Sequence, residues 1–356
     1  MKRAGNFFEN FRIGETYRHA TPRTLTSGDA ALYLGLTGSR VPLHCAAPFA
    51  ASLGYRENTI DDLLAFHIAF GKTVPDISLN AIANLGYAEG RFLEPVYPGD
   101  TLRAESTVIG LKQNSNGKSG VVWVRSRAFN QIEREVMSWV RWVMVAKADA
   151  NATAPKAVVP ELANCVAAAE LAVPHFLRLN EYDFAATGNS RLWDDYRAGE
   201  RIDHPAGMTI DDPEHSLATR LYQNNARVHF DALAMKDSQF GKRLMYGGHV
   251  ISVCRALAFE GLENALTIAA INGGSHSNPS FGGDTLYAQT RVLDRWELPG
   301  RDDLGALRLR LIGIKNLAAS EVADPQPGQD GRGQYHPNVV LDFDYTVLMP
   351  RQRILN

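Results

Sequence analysis

The chain has 356 residues, with 37 lysines and arginines against 39 aspartates and glutamates. This near balance predicts neither a nucleic acid nor an acidic membrane surface as a partner, and the length predicts two hydrophobic cores. The start, MKRAGNFFENF, lacks the apolar run of a signal peptide, and no stretch of the chain is apolar enough to span a membrane, so we expect a cytoplasmic protein. Cys45, Cys165 and Cys254 lie too far apart for a disulfide framework or a zinc site of the CxxC type.

The predicted elements follow the same order twice along the chain. An apolar helix comes first and strands with alternating polarity follow, and each helix is apolar on more than one face, as is typical of a helix surrounded by protein. The predicted helices cover 61–74 and 248–262, and the predicted strands cover 101–112, 120–130, 136–146, 285–296, 306–317 and 338–350. Turn residues at 114–120 and 325–334 favour antiparallel pairing of successive strands.

This order reflects an internal duplication, because a set of residues recurs 185 positions later without a gap. The set is Arg12, Gly14, Glu15, His19, Thr24, Leu32, Leu36 and His44, which recur as Arg197, Gly199, Glu200, His204, Thr209, Leu217, Leu221 and His229. We predict an α+β fold with two antiparallel sheets, each wrapping a long central helix. The predicted domains are 1–148 and 186–356, and the linker is 149–185, which begins in an Ala- and Pro-rich stretch.

The histidine segments TGSRVPLH, at 37–44, and YQNNARVH, at 222–229, are the best candidates for chemistry. In each, a short polar side chain lies five residues before the histidine, Ser39 before His44 and Asn224 before His229. A neutral imidazole can take a proton from a weakly acidic carbon while an amide holds a hydroxyl in place. The alternative is a structural histidine that is hydrogen-bonded to a backbone carbonyl.

Two glycines, Gly247 and Gly248, stand at the predicted start of the second helix. Free backbone N–H groups there can hold the negative oxygen that develops when a thioester loses its α-proton. The first copy has Leu64-Ala65-Phe66-His67 in that place, so we expect the second copy to be the more competent site. The alternative is that the glycines only permit a tight loop.

The sequence offers no motif for a nucleotide cofactor or a metal ion. It has no GxGxxG between a strand and a helix and no GxxxxGK[ST]. The glycine-rich stretch GGSHSNPSFGG at 273–283 runs directly into a strand and is interpreted as a turn. Paired histidines at metal-ligand spacing on a predicted helix and clusters of acids are also missing from the sequence, so we expect no metal.

The histidine segments resemble a known family, the MaoC-like hydratases of the hotdog fold. TGSRVPLH and QNNARVHF take the place of its SGDxNPxH signature, and PGDTL at 98–102 and GGDTL at 282–286 match its segment after the helix. The long stretches 66–92 and 245–288 are similar to the mesaconyl-CoA hydratases within this family. The resemblance implies a double hotdog, a homodimer and reversible loss of water from β-methylmalyl-CoA to give mesaconyl-CoA, with coenzyme A as part of the substrate and no further cofactor.

The resemblance assigns the catalytic histidine to His229, with His44 in a possible second site. The acidic position of the signature falls on Asn224 and Ser39, which is a departure because neither residue is a carboxylate. Counting eighteen residues from the histidine, as in the family, reaches Gly247 as the oxyanion glycine.

In the first copy the same count reaches Asp62, which suggests an insertion and a degenerate site. In the second copy, our hypothesis is that His229 removes the α-proton, that the same group or a water-linked one protonates the departing hydroxyl, and that Asn224 orients this hydroxyl.

The implied substrate ends in a free carboxylate, and burying such a charge without a partner is costly. We therefore expect a cation in the pocket, Arg227 first and Arg255 second, beside Gly248. Two other functions stay open at this point. The same oxyanion site can serve a thioesterase, and a non-catalytic acyl-CoA-binding protein could keep the histidines without using them.

Overall fold

The computed structural model describes residues 5–323 and 335–355, so the predicted turn at 325–334 lies outside the described residues. Helices of the first copy are α1 (Ser27–Thr37), α2 (Pro42–Cys45), α3 (Ala47–Ser52) and α4 (Asp62–Thr73), with helical turns at Phe8–Asn10 and Val74–Ser78. Its strands are β1 (Thr16–Arg18), β2 (Arg23–Thr24), β3 (Ala81–Phe92), β4 (Thr101–Gln113), β5 (Ser119–Phe129) and β6 (Glu135–Ala146).

The second copy repeats this plan. Its helices are α5 (Phe184–Thr187), α6 (Asp212–Leu221), α7 (Arg227–Phe230), α8 (Ala232–Met235) and α9 (Gly247–Leu257). Its strands are β7 (Arg201–Thr209), β8 (Thr267–Ser275), β9 (Thr285–Leu298), β10 (Arg301–Lys315) and β11 (Val339–Pro350). Single helical turns cover Ala168–Glu170, Trp193–Asp195, Ala319–Glu321 and Gln352–Leu355.

The described strands join into one sheet of 11 strands, in which the two predicted sheets meet edge to edge. The order is β1-β4-β5-β6-β3-β8-β11-β10-β9-β7, with β2 on β4, and every pairing is antiparallel. At the junction of β3 with β8, Ala88 pairs with Gly273, its own equivalent in the second copy. A pseudo-twofold axis therefore passes between these two strands.

The two central helices are enclosed as the apolar pattern predicted. Every residue from Leu63 to Thr73 in α4 and from Gly248 to Leu257 in α9 is buried. The pseudo-twofold axis also passes between them, since His67 Nε2 and the hydroxyl of its equivalent, Ser252, are 2.9 Å apart. Helix α9 ends at Leu257, five residues before the predicted end, and the junction strands β3 and β8 were not among the predicted strands.

The stretch that connects the copies packs against both of them. Val158 forms an antiparallel bridge with Leu111 of the first copy, with N–O distances of 2.9 and 2.8 Å. Further on, Val166 and Leu171 are buried in an apolar cluster with residues of both copies. The predicted domain boundaries stay predictions, but this connection is a packed part of the fold.

None of the helices in 5–323 and 335–355 combines the length and the apolar character that crossing a membrane requires.

Candidate functional site

The imidazole of His229 is held in one tautomer beside the start of α9. Its Nδ1 lies 3.1 Å from the backbone carbonyl oxygen of Leu244. A carbonyl only accepts, so Nδ1 donates the hydrogen and Nε2 keeps its lone pair. Burial lowers the pKa of His229 to about 4, opposed by the Leu244 carbonyl and helped by the charge of His215. His229 is therefore neutral at pH 7 and able to accept a proton.

The glycines of α9 are required by close packing. An added Cβ on Gly247 would lie 2.5 Å from Cε1 of His276, and one on Gly248 would lie 2.4 Å from the Tyr246 ring. Neither glycine has a positive φ, so the loop itself does not require them. The ring of His229 is centred 5.4 Å from that of Tyr246, the residue before the helix. His229 therefore lies beside the start of α9, where the first N–H groups have no partner within the helix.

His276 is a site residue that sequence reasoning missed. It follows β8 in the stretch predicted to be a turn, and its ring packs against Gly247. The Tyr87 hydroxyl, from β3 of the first copy, lies 3.4 Å from its Nε2. Burial, together with the charge of His229, lowers the pKa of His276 to about 4. The duplication did not point to His276, because the equivalent residue in the first copy, 185 positions earlier, is Arg91 and not a histidine.

Asn224 is near this group and Arg227 lies at its edge. Asn224 is buried, its Oδ1 accepts a hydrogen bond from the N–H of Ala226 at 3.1 Å, and its side chain also interacts with the Tyr246 hydroxyl. Arg227 begins α7 and is exposed, so it can meet a carboxylate only at the rim. We call His229, Asn224, Tyr246, Gly247, Gly248 and His276 the C-terminal site.

A crevice lies beside His44, the equivalent of His229 in the first copy. His44 is buried, its Nδ1 is 2.9 Å from the Thr59 hydroxyl, and its Nε2 is 3.9 Å from Oδ2 of Asp62. Asp62 is the first residue of α4, as Gly247 is the first of α9, and the two are 185 positions apart. The expectation of an insertion in the first copy is therefore wrong. The segment equivalent to Tyr246–His249 is 61–64, and Leu64–His67 lies further along the helix.

Acids occupy the start of α4. Asp62 Oδ2 accepts hydrogen bonds from the Thr267 hydroxyl at 2.7 Å and from the N–H of Ile268 at 2.8 Å. Burial is the main cause that raises the pKa of Asp62, and the charge of Asp61 adds to it. Asp61 caps the helix by accepting from the N–H of Leu63 at 2.9 Å, and the Ser39 hydroxyl donates to it at 3.4 Å. Ser39 thus contacts an acid of the helix start.

Arg255 belongs to the crevice beside His44. It lies on α9 but lines the crevice with Ser39, His44 and Asp62, so its expected place beside His229 is a misassignment. Arg255 is 8% exposed, and its Nη1 has no hydrogen-bond partner within 5–323 and 335–355. We call the polar groups Ser39, His44, Asp61, Asp62, Ser252 and Arg255 the N-terminal crevice.

Both sites suit proton transfer at a carbon beside a thioester. Each has an imidazole next to the start of a buried helix, with a free backbone amide in reach of a developing oxyanion. The C-terminal site adds glycine amides and a second imidazole, whereas the N-terminal crevice adds carboxyl groups and a buried guanidinium. Among the described residues, no three or more His, Cys, Asp or Glu side chains are grouped so that they could hold a metal ion.

Comparison with known proteins confirms the predicted resemblance and the double hotdog. The chain is 56% identical over 348 residues to the beta-methylmalyl-CoA dehydratase of Chloroflexus aurantiacus, covering 98% of each chain. It is 54% identical over 350 residues to the mesaconyl-CoA hydratase of Cereibacter sphaeroides, covering 98% of this chain and 99% of the relative.

Solved structures agree with these sequence matches. A MaoC domain protein dehydratase from Chloroflexus aurantiacus has a TM-score of 0.93, with 56% identity and 98% coverage of both chains. A Mycobacterium tuberculosis protein described as a double hotdog has a TM-score of 0.77 at 24% identity, covering 99% of this chain and 100% of its own, which shows the fold. The family model described as mesaconyl-CoA hydratase matches residues 1–319. The chain therefore belongs to the mesaconyl-CoA hydratase family.

Proposed function

We propose that this chain is a hydro-lyase that interconverts β-methylmalyl-CoA and mesaconyl-CoA. The observation that carries the proposal is identity of 56% and 54%, over nearly the full length, to enzymes named for the two directions of that reaction. The two sites agree with it, because each pairs an imidazole with a helix start. The reaction runs on the chain's own side chains and on the coenzyme A of the substrate, and the proposal requires no other cofactor.

In the C-terminal site, His229 acts as the base. In the dehydration direction its Nε2 removes the proton from the carbon beside the thioester, and the electron pair moves onto the carbonyl oxygen. The N–H groups of Gly247 and Gly248 stabilise this enolate, each donor contributing on the order of 3 kcal/mol. The low pKa of His229, about 4, keeps the imidazole free to take the proton at neutral pH.

The enolate collapses to the double bond as the carbon–oxygen bond breaks, and the imidazolium of His229 gives the departing hydroxyl the proton that it took, so that the hydroxyl leaves as water. Asn224 stands where the family signature has an acid, so in our proposal the ring N–H of His276 donates a hydrogen bond to the departing hydroxyl, since the His276 ring packs against Gly247, next to the enolate position. The buried Asn224 orients the hydroxyl, and the exposed Arg227 meets the free carboxylate of the substrate at the rim.

A single assay separates this proposal from the two alternatives. Incubation with mesaconyl-CoA should remove the absorbance of the conjugated double bond without releasing free thiol. Thiol release would instead identify a thioesterase, and binding with neither change would identify a non-catalytic acyl-CoA-binding protein. Heat-denatured protein serves as the control.

The expected homodimer stays a prediction. Size-exclusion chromatography with light scattering checks it, and a mass near the 39.1 kDa of one chain would contradict it.

A further inference from the structure

The N-terminal crevice contains a buried cation, Arg255, which forms no ion pair with an acid among the described residues and lies 6.0 Å from the centre of the Tyr345 ring. Arg255 is more than nine-tenths buried, and its Nη1 has no hydrogen-bond partner among the residues that the structure describes. A buried guanidinium without a counter-charge is unfavourable, and its planar donors match a carboxylate. The crevice therefore has the group that a ligand with a free carboxylate requires.

The two nearby acids do not fill that role. Asp61 is held by the N–H of Leu63 and by Ser39, and Asp62 by Thr267 and Ile268. Within 5–323 and 335–355, Arg255 forms no ion pair at 4.0 Å or less with either acid. The guanidinium stays available to a carboxylate brought by a ligand.

His44 and Asp62 are placed to share one ligand oxygen. Their Nε2 and Oδ2 atoms are 3.9 Å apart, which is too long for a direct hydrogen bond. A hydroxyl or water oxygen can nevertheless lie about 2.8 Å from both atoms at once. The hydrogen bond between Nδ1 of His44 and the Thr59 hydroxyl orients the imidazole so that Nε2 is on the side of Asp62.

We propose that the N-terminal crevice is a second active site for the same dicarboxylic thioester, with His44 as base, Asp62 as acid and Arg255 on the free carboxylate. This proposal rests on the proposed function. Each site is built from both copies, since Arg255 of α9 reaches the crevice of the first copy and Tyr87 of β3 reaches His276 of the second.

The chemical step balances within the crevice. In dehydration, Nε2 of His44 takes the α-proton and the electron pair forms an enolate, which the first N–H of α4 stabilises. The enolate collapses to the double bond as the carbon–oxygen bond breaks, and the hydroxyl takes the proton of Asp62 and leaves as water. The imidazolium of His44 then returns a proton to Asp62, which restores both groups. Burial raises the pKa of Asp62 although the charge of His44 and the hydrogen bonds from Ile268 and Thr267 oppose it, and this direction favours the protonated carboxyl group.

The first test compares His44→Gln, His229→Gln and the double variant, with mesaconyl-CoA as substrate. Rates at independent sites add, so each single variant should keep roughly a tenth or more of the wild-type kcat, while the double variant falls by about 10²-fold or more. His175→Gln, at an exposed histidine, is the matched control. If His44→Gln leaves kcat at the wild-type level and the double variant equals His229→Gln, the second site does not exist.

The second test isolates the crevice in the His229→Gln background. Mesaconyl-CoA is compared with 2-methylbut-2-enoyl-CoA, in which a methyl group replaces the free carboxylate. Arg255→Met should lower the ratio of kcat/KM for the diacid to that for the methyl analogue by about tenfold or more, mainly through KM, and Arg255→Lys should restore part of it. An unchanged ratio in a folded Arg255→Met protein would overturn the role of Arg255.

These outcomes separate the two proposals. A wild-type protein that hydrates none of the thioesters would reject the proposed function itself. A wild-type protein that hydrates mesaconyl-CoA, but whose His229→Gln variant is inactive although folded, would reject only the second site. Complete loss in a folded His44→Gln variant would instead reject the role of His229 and overturn the proposal of two independent sites. Thermal melting of each variant shows whether a lost rate reflects a lost fold.

Discussion

The C-terminal site and the N-terminal crevice are built on equivalent elements, a histidine beside the start of a buried helix, but their other side chains differ. Where the C-terminal site has Gly247, the N-terminal crevice has Asp62, and where the crevice has Arg255, the equivalent residue is Phe70. The Phe70 ring is centred 6.2 Å from the ring of Tyr246, the residue that precedes α9. One site is thus lined by aromatic and imidazole rings and the other by charged groups.

The difference changes how each helix start can act. The acidic cap Asp61 uses the N–H of Leu63 and offsets the positive end of the α4 dipole, whereas Tyr246 gives α9 no side-chain cap. The C-terminal site can therefore stabilise an enolate more strongly through its amides. The N-terminal crevice depends more on its proton donor and on Arg255.

The largest expected effect tests the amides of the C-terminal site. In a His44→Gln background, Gly247→Ala should lower kcat by about 10²- to 10³-fold, because the new Cβ would lie 2.5 Å from His276 and displace the oxyanion donors. Steady-state kinetics with mesaconyl-CoA measure this. Gly273→Ala, where the nearest atom to a new Cβ is 3.9 Å away, should stay near the parent rate. Equal rates for the two variants would refute the oxyanion role.

The next effect tests the acid of the N-terminal crevice. In a His229→Gln background, Asp62→Asn should lower kcat by about 10²-fold, since an amide still accepts from Thr267 and Ile268 but has no acidic proton. Asp302→Asn, at an exposed aspartate, is the control. Retention of the parent kcat by Asp62→Asn would remove Asp62 from the chemistry.

His276→Gln should have a smaller effect, about tenfold on kcat in the His44→Gln background, because the Gln amide still donates N–H hydrogen bonds but from a different position. The same substitution in the His229→Gln background should change little. This contrast assigns His276 to one site, and equal losses in both backgrounds would show a structural role.

Acid should lower the free energy of unfolding, and more histidines with a strongly lowered pKa lie in the second copy than in the first, which has His67. Burial lowers the pKa of His229 and His276 to about 4 and that of His249 to about 3. With folded pKa values below the unfolded value of about 6.5, the unfolded chain binds protons first, so stability is complete above pH 6.5 and falls as the pH drops toward 4. Each group costs on the order of 1 kcal/mol per pH unit in this window.

Scanning calorimetry at pH 7, 6 and 5 should therefore show a falling Tm. His276→Gln should fall less steeply than wild type, whereas His175→Gln should follow wild type. A Tm that does not change between pH 7 and 5 would contradict the lowered pKa values of these three histidines.

The smallest expected effect concerns Arg227. Because it is exposed, Arg227→Met should raise KM for mesaconyl-CoA by less than about threefold in the His44→Gln background, with kcat unchanged. A tenfold rise would mean that Arg227 closes over the bound carboxylate, and the two sites would then bind the diacid by equivalent means.

Sequence patterns that repeat were predicted well, and contacts across the pseudo-twofold axis were not. The constant spacing identified His44 with His229, and the apolar pattern placed both buried helices. The glycine-rich stretch that begins at 273 was interpreted as a turn, so the end of β8 and the site residue His276 were both missed. His276 also has no histidine counterpart in the first copy. Arg255 was placed beside the wrong histidine because a helix of one copy lines the crevice of the other, which spacing along the chain does not reveal.

The pairing of β3 with β8 has a consequence for how the two halves can change. In a dimer of two identical chains, every substitution would appear in both active sites at once. A carboxylate that acts as an acid at the start of one helix would then also occupy the position where the other helix needs a glycine amide. Covalent fusion removes this constraint, so Asp62 and Gly247 can occupy the same place in one molecule.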